Sequence, residues 1–163
     1  YQLTKDIHLT SSEGAENLRL KFNDFDGAQH PPRVRLGSHL AAATYWHGAL
    51  MTDWANGWVN YWTEGDGNFF TSAMEDTGTM QSLTRLDKAG KADLDRVLVL
   101  RGVTNYTRPI GSVTAYESLK GETVAHYSAY MPTMENVYLT GSPIVDAILE
   151  NWDTYKDIIP AVE

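Results

Sequence analysis

Val97-Leu98-Val99-Leu100 is a run of four apolar residues without a polar residue between them. A strand with one solvated face alternates apolar and polar residues, whereas a strand covered on both faces is apolar throughout. The run therefore predicts a strand of a parallel sheet that has helices on both sides. Two shorter strands are predicted before it, over the alternating residues 33–36 and the aromatic stretch 68–73.

Helical patterns lie around these predicted strands, and together they favour an α/β fold. Residues 10–13, Thr-Ser-Ser-Glu, have the spacing of a capping box, and the helical period that follows them ends at Gly27. Thr52 is predicted to cap a second helix with three tryptophans on one face, and such a stripe usually belongs to the core. These tryptophans are Trp54, Trp58 and Trp62. Two later helices are predicted, one carrying Met80, Leu83 and Leu86 and one beginning at Ser142-Pro143.

The composition fits one domain and excludes several classes of protein. The 163 residues are 42% hydrophobic, and their formal net charge of -8 has the wrong sign for binding nucleic acid polymers. The chain has no cysteine, so disulfide scaffolds and cysteine-ligated zinc are excluded. A spanning helix needs about 20 consecutive apolar residues, and the best candidate, residues 40–51, is short and interrupted. We therefore predict no membrane span in this chain.

Polar side chains follow two of the predicted strands. Met74-Glu75-Asp76 comes after residues 68–73, and Val103-Thr104-Asn105-Tyr106 comes after the apolar run. Ligands collect at the carboxyl ends of strands in open α/β sheets. A carboxylate there can accept hydrogen bonds from two sugar hydroxyls, and an amide can match the edge of a heterocycle. Spacing leaves an alternative open, in which Glu75 and Asp76 cap the next helix and Asn105 makes a turn.

Several motifs, taken in their order along the chain, resemble those of the purine nucleoside permease family. The resemblance extends from Leu3-Thr4-Lys5-Asp6 to nearly the last residue. The motifs are Thr44-Tyr45-Trp46-His47-Gly48, Asp53-Trp54-Ala55-Asn56, Gly67-Asn68-Phe69, Ala73-Met74-Glu75-Asp76-Thr77-Gly78, Val97-Leu98-Val99-Leu100-Arg101, Thr104-Asn105-Tyr106, Gly141-Ser142-Pro143-Ile144-Val145-Asp146 and Asn151-Trp152.

That family is in turn similar, more distantly, to nucleoside phosphorylases, and this likeness carries expectations about the fold. It implies part of a three-layer α/β sandwich, with a central mixed sheet flanked by helices. The resemblance covers the carboxyl-terminal half of the family's length. Residues 1–163 are therefore expected to be the carboxyl-terminal portion of one such domain. The Gly-rich phosphate-binding loop of the phosphorylases would lie in a preceding segment, because no stretch of this chain resembles it.

The resemblance also implies roles for individual residues. Met74 and Glu75 match a Met-Glu pair that lies under the ribose, where the glutamate accepts hydrogen bonds from the 2′- and 3′-hydroxyls. Asn105 falls at the position that contacts the purine ring, and Tyr45 at an aromatic position near the base. The expected catalytic residues are Asn105 and Glu75. The expected substrate-binding residues are Tyr45, Trp46, Ala73, Met74 and Thr104.

The implied reaction is cleavage of the N-glycosidic bond of a purine nucleoside, by phosphorolysis or by hydrolysis. Asn105 can donate a hydrogen bond to the leaving purine, although an amide cannot act as a general acid. Glu75 would orient the ribose. No cofactor is expected, and phosphate is a candidate co-substrate.

Two other classes of function stay open: a nucleoside binding or uptake component without catalysis, and a storage or surface protein that keeps only the fold. The expected partners are a purine nucleoside, the amino-terminal half of the same protein and, as a candidate, a second copy of the chain. The resemblance points to a secreted or cell-surface protein, although no signal is visible in the sequence.

The histidines offer no pattern that would bind a metal ion, and no metal is expected. His8, His30, His39 and His126 are predicted to lie at the surface or in loops. His47, in the Tyr-Trp-His motif, is a further candidate acid or base with no fixed partner in the sequence.

Overall fold

Two short parallel strands and the helix between them form the centre of the chain. The computed structural model describes residues 1–125 and 129–159. Strand β1 (Ser38–Ala41) pairs in parallel with β2 (Phe69–Ala73), so that Leu40 lies opposite Ser72 and Ala41 opposite Ala73. The helices in chain order are α1 (Glu13–Arg19), α2 (Asp26–Gln29), α3 (Ala49–Trp62), α4 (Asp76–Lys88), α5 (Ala115–Ala125), α6 (Tyr130–Glu150) and α7 (Trp152–Tyr155).

Helix α3 makes the crossover that two parallel strands require. It begins after Gly48, whose φ of 125° lies in a region that favours glycine. Its buried residues are Ala55 and Val59, four positions apart on one face, and the helix packs against both strands. The β1–α3–β2 unit therefore places the carboxyl ends of both strands at the same edge of the sheet.

The strand expected at residues 97–100 is wrong. These residues form no strand, and the side chains of Leu98 and Val99 are 64% and 49% exposed. Residues 33–36 likewise form no strand, and β1 begins two residues beyond them. An apolar or alternating run records which side chains avoid water, but a strand also needs a neighbour to satisfy its backbone groups, and neither run has one in the described residues.

The predicted helices are present, but several of their limits differ. The first predicted helix is divided into α1 and α2, which are separated by a turn that contains buried Phe22. Ser12 is the N-cap of α1, and its hydroxyl accepts a hydrogen bond from the Ala15 N–H. Thr52 lies inside α3 and does not cap it. The helix expected from Met80, Leu83 and Leu86 is α4.

The expected start at Ser142-Pro143 is wrong, because both residues lie inside α6. Pro143 removes one backbone donor from this helix, and the Ser142 hydroxyl donates to the Tyr138 carbonyl at 2.9 Å. An internal proline preceded by serine thus resembles a helix start in sequence.

The tryptophan stripe of α3 was expected in the core and is instead exposed. Trp54 stacks on Trp58 and Trp58 meets Trp62 edge to face, with ring centroids 5.3 and 5.6 Å apart. The buried face of the helix is instead the one that carries Ala55 and Val59.

The α/β class is confirmed at the level of helices combined with a small parallel sheet. Within the described residues the sheet has two strands, and the three-layer sandwich stays a prediction.

Candidate functional site

A cleft with a volume of about 760 Å³ lies beside β2 and reaches its carboxyl end. Its walls come from residues between 9 and 37, from β1 and β2, from residues 44–46, from residues 99–107, which have no regular secondary structure, and from α6. The cleft therefore occupies the edge of the sheet at which the sequence predicted a sugar and base site.

Six of the seven predicted site residues line this cleft, namely Tyr45, Trp46, Ala73, Met74, Thr104 and Asn105. The seventh, Glu75, is not in its lining, and its side chain is 65% exposed. Glu75 is nevertheless one contact away, because its Oε2 lies 3.3 Å from Nη2 of Arg101, and Arg101 lines the cleft. The structure therefore brings the predicted residues to one place, and their roles remain a prediction.

The segment that carries Thr104 and Asn105 is held by the elements on either side of it. The Tyr106 hydroxyl donates to the Ala28 carbonyl at 2.8 Å, and its ring lies 4.2 Å from that of Phe22. Burial raises the pKa of Tyr106, so this hydroxyl keeps its proton. The Thr107 carbonyl accepts from the Gly48 N–H at 2.8 Å and from the Thr52 hydroxyl at 3.1 Å. These contacts fix a segment that has no regular secondary structure.

Helix α6 holds the same segment from the other side. Buried Thr133 donates its hydroxyl to the Val103 carbonyl at 2.8 Å. At Gly102 a Cβ atom would lie 2.6 Å from methyl groups of both Thr133 and Val137. Only glycine allows this approach between the segment and the helix.

Asn105 has an oriented, half-buried amide. Its Oδ1 accepts from the Thr104 hydroxyl at 3.0 Å, and its Nδ2 donates to the Tyr106 carbonyl at 3.4 Å. A side-chain amide can make about four hydrogen bonds, so these contacts leave one donor and one acceptor position for a ligand.

Glu75 stands at the N-cap position of α4 but makes no side-chain capping hydrogen bond. The capping alternative for Glu75 is therefore wrong. Asp76 lies in the first turn of α4, where a negative charge is favoured by the helix dipole, but its oxygens contact other side chains.

The structure reveals a charged cluster that the sequence did not predict, formed by His39, Asp76 and Arg101. Arg101 donates to both oxygens of Asp76, from Nε to Oδ2 at 2.6 Å and from Nη2 to Oδ1. Nε2 of His39 lies 2.8 Å from the same Oδ2, and its Nδ1 lies 2.6 Å from the Thr71 hydroxyl. His39 was expected at the surface or in a loop, and this expectation is wrong, since it lies half-buried in β1 and lines the cleft.

The cluster has a defined charge state at neutral pH. Burial lowers the pKa of His39 from its usual value of 6.5, the nearby Arg101 lowers it further, and Asp76 and Glu75 oppose this. The hydrogen bond from Arg101 holds the pKa of Asp76 below its usual range. Asp76 is thus ionised while His39 is neutral. The sequence held a signal for part of this cluster, because Arg101 and Asp76 each follow a predicted strand. It held none for His39, whose position depends on how the strands pair.

Two further residues, His47 and Arg108, lie apart from this cluster. Nε2 of His47 is 3.0 Å from the Ser118 hydroxyl, and His47 is not in the lining of the cleft. Arg108 pairs with Asp53 at 3.0 Å and lies over the ring of Phe25. Of the five histidines, His126 lies outside the described residues.

Metal and membrane sites were sought in residues 1–125 and 129–159. In these ranges no three acidic, histidine or cysteine side chains cluster closely enough to hold a metal ion. No helix in the same ranges has both the length and the apolar character to cross a membrane.

Comparison with known proteins gives the family. The family model described as "Purine nucleoside permease (NUP)" matches residues 1–160. The chain belongs to this family. The resemblance deduced from the sequence is therefore confirmed.

Two fungal relatives of this permease family chain are similar over most of its length. A protein named purine nucleoside permease from Candida albicans is 31% identical over 153 residues, which are 93% of this chain and 37% of the relative. A probable purine nucleoside permease from Schizosaccharomyces pombe is 28% identical over 151 residues, covering 93% of this chain and 42% of the relative. The chain thus spans about two fifths of the length of these permeases. No solved structure matches it.

The names of these permeases refer to purine nucleosides and contain no term for a phosphorylase or a glycosyltransferase. The expected cleavage of the N-glycosidic bond consequently gains no support from them.

Proposed function

We propose that this chain contributes a purine nucleoside binding site to a nucleoside uptake protein, and that binding does not lead to cleavage of the nucleoside. The observation that carries the proposal is the cleft of about 760 Å³ at the sheet edge, lined by six residues suited to a base and a sugar. Pockets for small ligands commonly have about 300–1,000 Å³. The names of the two fungal relatives support the same substrate class.

The base is proposed to lie against Thr104 and Asn105. The amide of Asn105 is oriented by its two neighbours and can offer one donor and one acceptor to the edge of a purine. Tyr45 and Trp46 supply aromatic surface in the same cleft, on which a flat base can stack.

The ribose is proposed to lie against Met74 and Glu75. Met74 gives an apolar surface for the sugar ring. The side-chain oxygens of Glu75 can accept hydrogen bonds from two neighbouring hydroxyls. The absence of a side-chain cap on α4 supports this role, because the carboxylate is not committed to the helix backbone.

Binding without cleavage is favoured by the chemistry of Asn105. The departing purine accumulates negative charge, and an acid that can give it a proton accelerates its departure. An amide can donate a hydrogen bond but has no proton to transfer at neutral pH. The site therefore stabilises a bound purine better than it promotes bond breaking.

The chain is further proposed to be the carboxyl-terminal portion of a larger nucleoside-binding domain. A larger protein is supported by the relatives, because the chain covers 37% and 42% of their lengths. The carboxyl-terminal placement rests on the resemblance of the motifs alone.

The test is calorimetric titration of the full-length protein with inosine, guanosine and adenosine, with and without phosphate. We expect saturable binding of at least one nucleoside, and chromatography of the same samples should detect no free base. Release of base would contradict binding without cleavage. Failure of all three to bind would overturn the nucleoside site itself.

A further inference from the structure

The His39–Asp76–Arg101 cluster joins three separate parts of the chain at the proposed ribose side of the cleft. His39 comes from β1 and Asp76 from the first turn of α4. Arg101 comes from the irregular segment that follows the short 3-10 helix at residues 94–96. His39 and Arg101 both line the cleft, and Arg101 also reaches Glu75. The cluster is thus placed to act on the carboxylate proposed to bind ribose.

Arg101 divides its hydrogen bonds unequally between two carboxylates. It binds both oxygens of Asp76, whereas its contact with Glu75 is a single bond of 3.3 Å between Nη2 and Oε2. A two-point guanidinium–carboxylate pair is stronger and more directional than a single long contact. Asp76 therefore restrains Arg101, and the Glu75 carboxylate stays largely available to a ligand.

His39 contacts the same carboxylate oxygen that accepts from Arg101. Among the described residues its Nε2, which is shielded from solvent, has no well-aligned hydrogen-bond partner, although it lies 2.8 Å from Oδ2 of Asp76. While the imidazole is neutral, this contact is not an ion pair. The charged groups around His39 are Asp76, Arg101 and Glu75, and its remaining polar neighbour is the uncharged Thr71.

Protonation of His39 would change this balance. The imidazolium would form a full ion pair with Oδ2 of Asp76 and would repel the guanidinium of Arg101. Arg101 already has a second acceptor in contact, Oε2 of Glu75, 3.3 Å away. A stronger Arg101–Glu75 pair would occupy the carboxylate that the ribose hydroxyls need.

We propose that His39 is a positioning residue which, in its neutral form, keeps Arg101 on Asp76 and leaves Glu75 free for the nucleoside, and which weakens binding when it becomes protonated. This inference rests on the proposed nucleoside site. Because burial lowers the pKa of His39 from 6.5, affinity should be constant at pH 7 and above and should fall on acidification below 6.5.

The test is calorimetric titration of the full-length protein with guanosine, inosine and adenosine from pH 5 to pH 8. The variants are His39→Gln, which keeps an N–H donor but does not titrate, and His8→Gln, which alters an exposed histidine outside the cluster. Wild type and His8→Gln should lose affinity increasingly as the pH falls from 6.5 to 5, by less than about tenfold at pH 5.5 because the pKa of His39 lies below 6.5. His39→Gln, compared with its own affinity at pH 7.5, should show no such loss on acidification. Circular dichroism at each pH establishes that every sample is folded.

A second readout does not depend on a folded variant. The His39 ring resonances of the wild-type protein are followed by NMR during pH titrations with and without the bound nucleoside. Binding should lower the pKa of His39, because the ligand favours the neutral form. An unchanged pKa, or a His39→Gln variant that keeps the pH dependence of wild type, would overturn the role of His39 while leaving the nucleoside site intact. Absence of wild-type binding at every pH would overturn the proposed function and this inference with it.

Discussion

The two sides of the cleft are built on different physical principles. The proposed base side, Thr104 and Asn105, is neutral and is fixed by hydrogen bonds and packing from α6, from Tyr106 and from the start of α3. The proposed ribose side, around Glu75, is charged and depends on how Arg101 is shared between two carboxylates. The base side should therefore respond to changes in packing, and the ribose side to changes in charge.

The largest effect on nucleoside affinity is expected from removing the carboxylate of Glu75, which is proposed to bind the ribose. Glu75→Ala should weaken nucleoside binding by roughly 100-fold, because hydrogen bonds to a charged group contribute about 1.5–3 kcal/mol. Its thermal stability should change little, because the side chain is exposed. The measurement is calorimetric titration, with Glu150→Ala at an exposed carboxylate of α6 as the control. Equal affinities in the two variants would remove Glu75 from the site.

The next effect concerns the packing of the base side. Gly102→Ala should destabilise the protein by about 1–3 kcal/mol, because its Cβ would overlap the methyl groups of Thr133 and Val137. Gly78→Ala in α4 is the matched control, since nothing lies within 4 Å of its Cβ position. Urea unfolding of both variants makes the comparison. Equal stability of the two would show that α6 does not hold this segment tightly.

A smaller effect is expected from the chemistry of the base side. Asn105→Asp should change the relative affinities for inosine and adenosine by about tenfold, toward the 6-aminopurine, because a carboxylate accepts hydrogen bonds but cannot donate them. Competition between the two nucleosides measures the ratio directly. An unchanged ranking would mean that Asn105 does not contact the base.

The smallest effect is the dependence of folding stability on pH at the ribose side. The unfolded chain binds more protons than the folded one between the lowered pKa of His39 and 6.5, so stability should decrease as the pH falls below 6.5. Asp76, whose pKa is also lowered, contributes stability above pH 3.8 that is lost at lower pH. Urea unfolding of wild type and His39→Gln between pH 5 and pH 8 isolates the histidine. Parallel curves would contradict its burial as a neutral base.

Local patterns in the sequence predicted many of the residues that line the cleft, but few of the contacts between the segments that form it. The strand at residues 68–73 and helix α4 follow from short apolar patterns, and their junction led to the prediction of Met74 and Glu75 as site residues. The loop with Thr104 and Asn105 was found as well, although the strand expected before it does not form. Six predicted residues therefore line one cleft even though two of the three predicted strands, at residues 33–36 and 97–100, do not form.

The features that sequence patterns missed depend on contacts between distant residues. The pairing of β1 with β2 sets the place of His39 beside Asp76, and no local pattern records that register. The exposure of the three tryptophans follows from which face of α3 meets the sheet, and that face carries Ala55 and Val59. Helical periodicity predicted that the three tryptophans share one face of α3, but not whether that face meets the sheet or the solvent.

A crystal structure of the full-length protein with a bound purine nucleoside tests the central claim most directly. The purine should lie within hydrogen-bonding distance of the Asn105 amide, and the 2′- and 3′-hydroxyls should donate to Glu75 while Arg101 stays on Asp76. An intact nucleoside bound elsewhere, with the cleft beside β2 filled by protein, would contradict the assignment of this cleft as the nucleoside site.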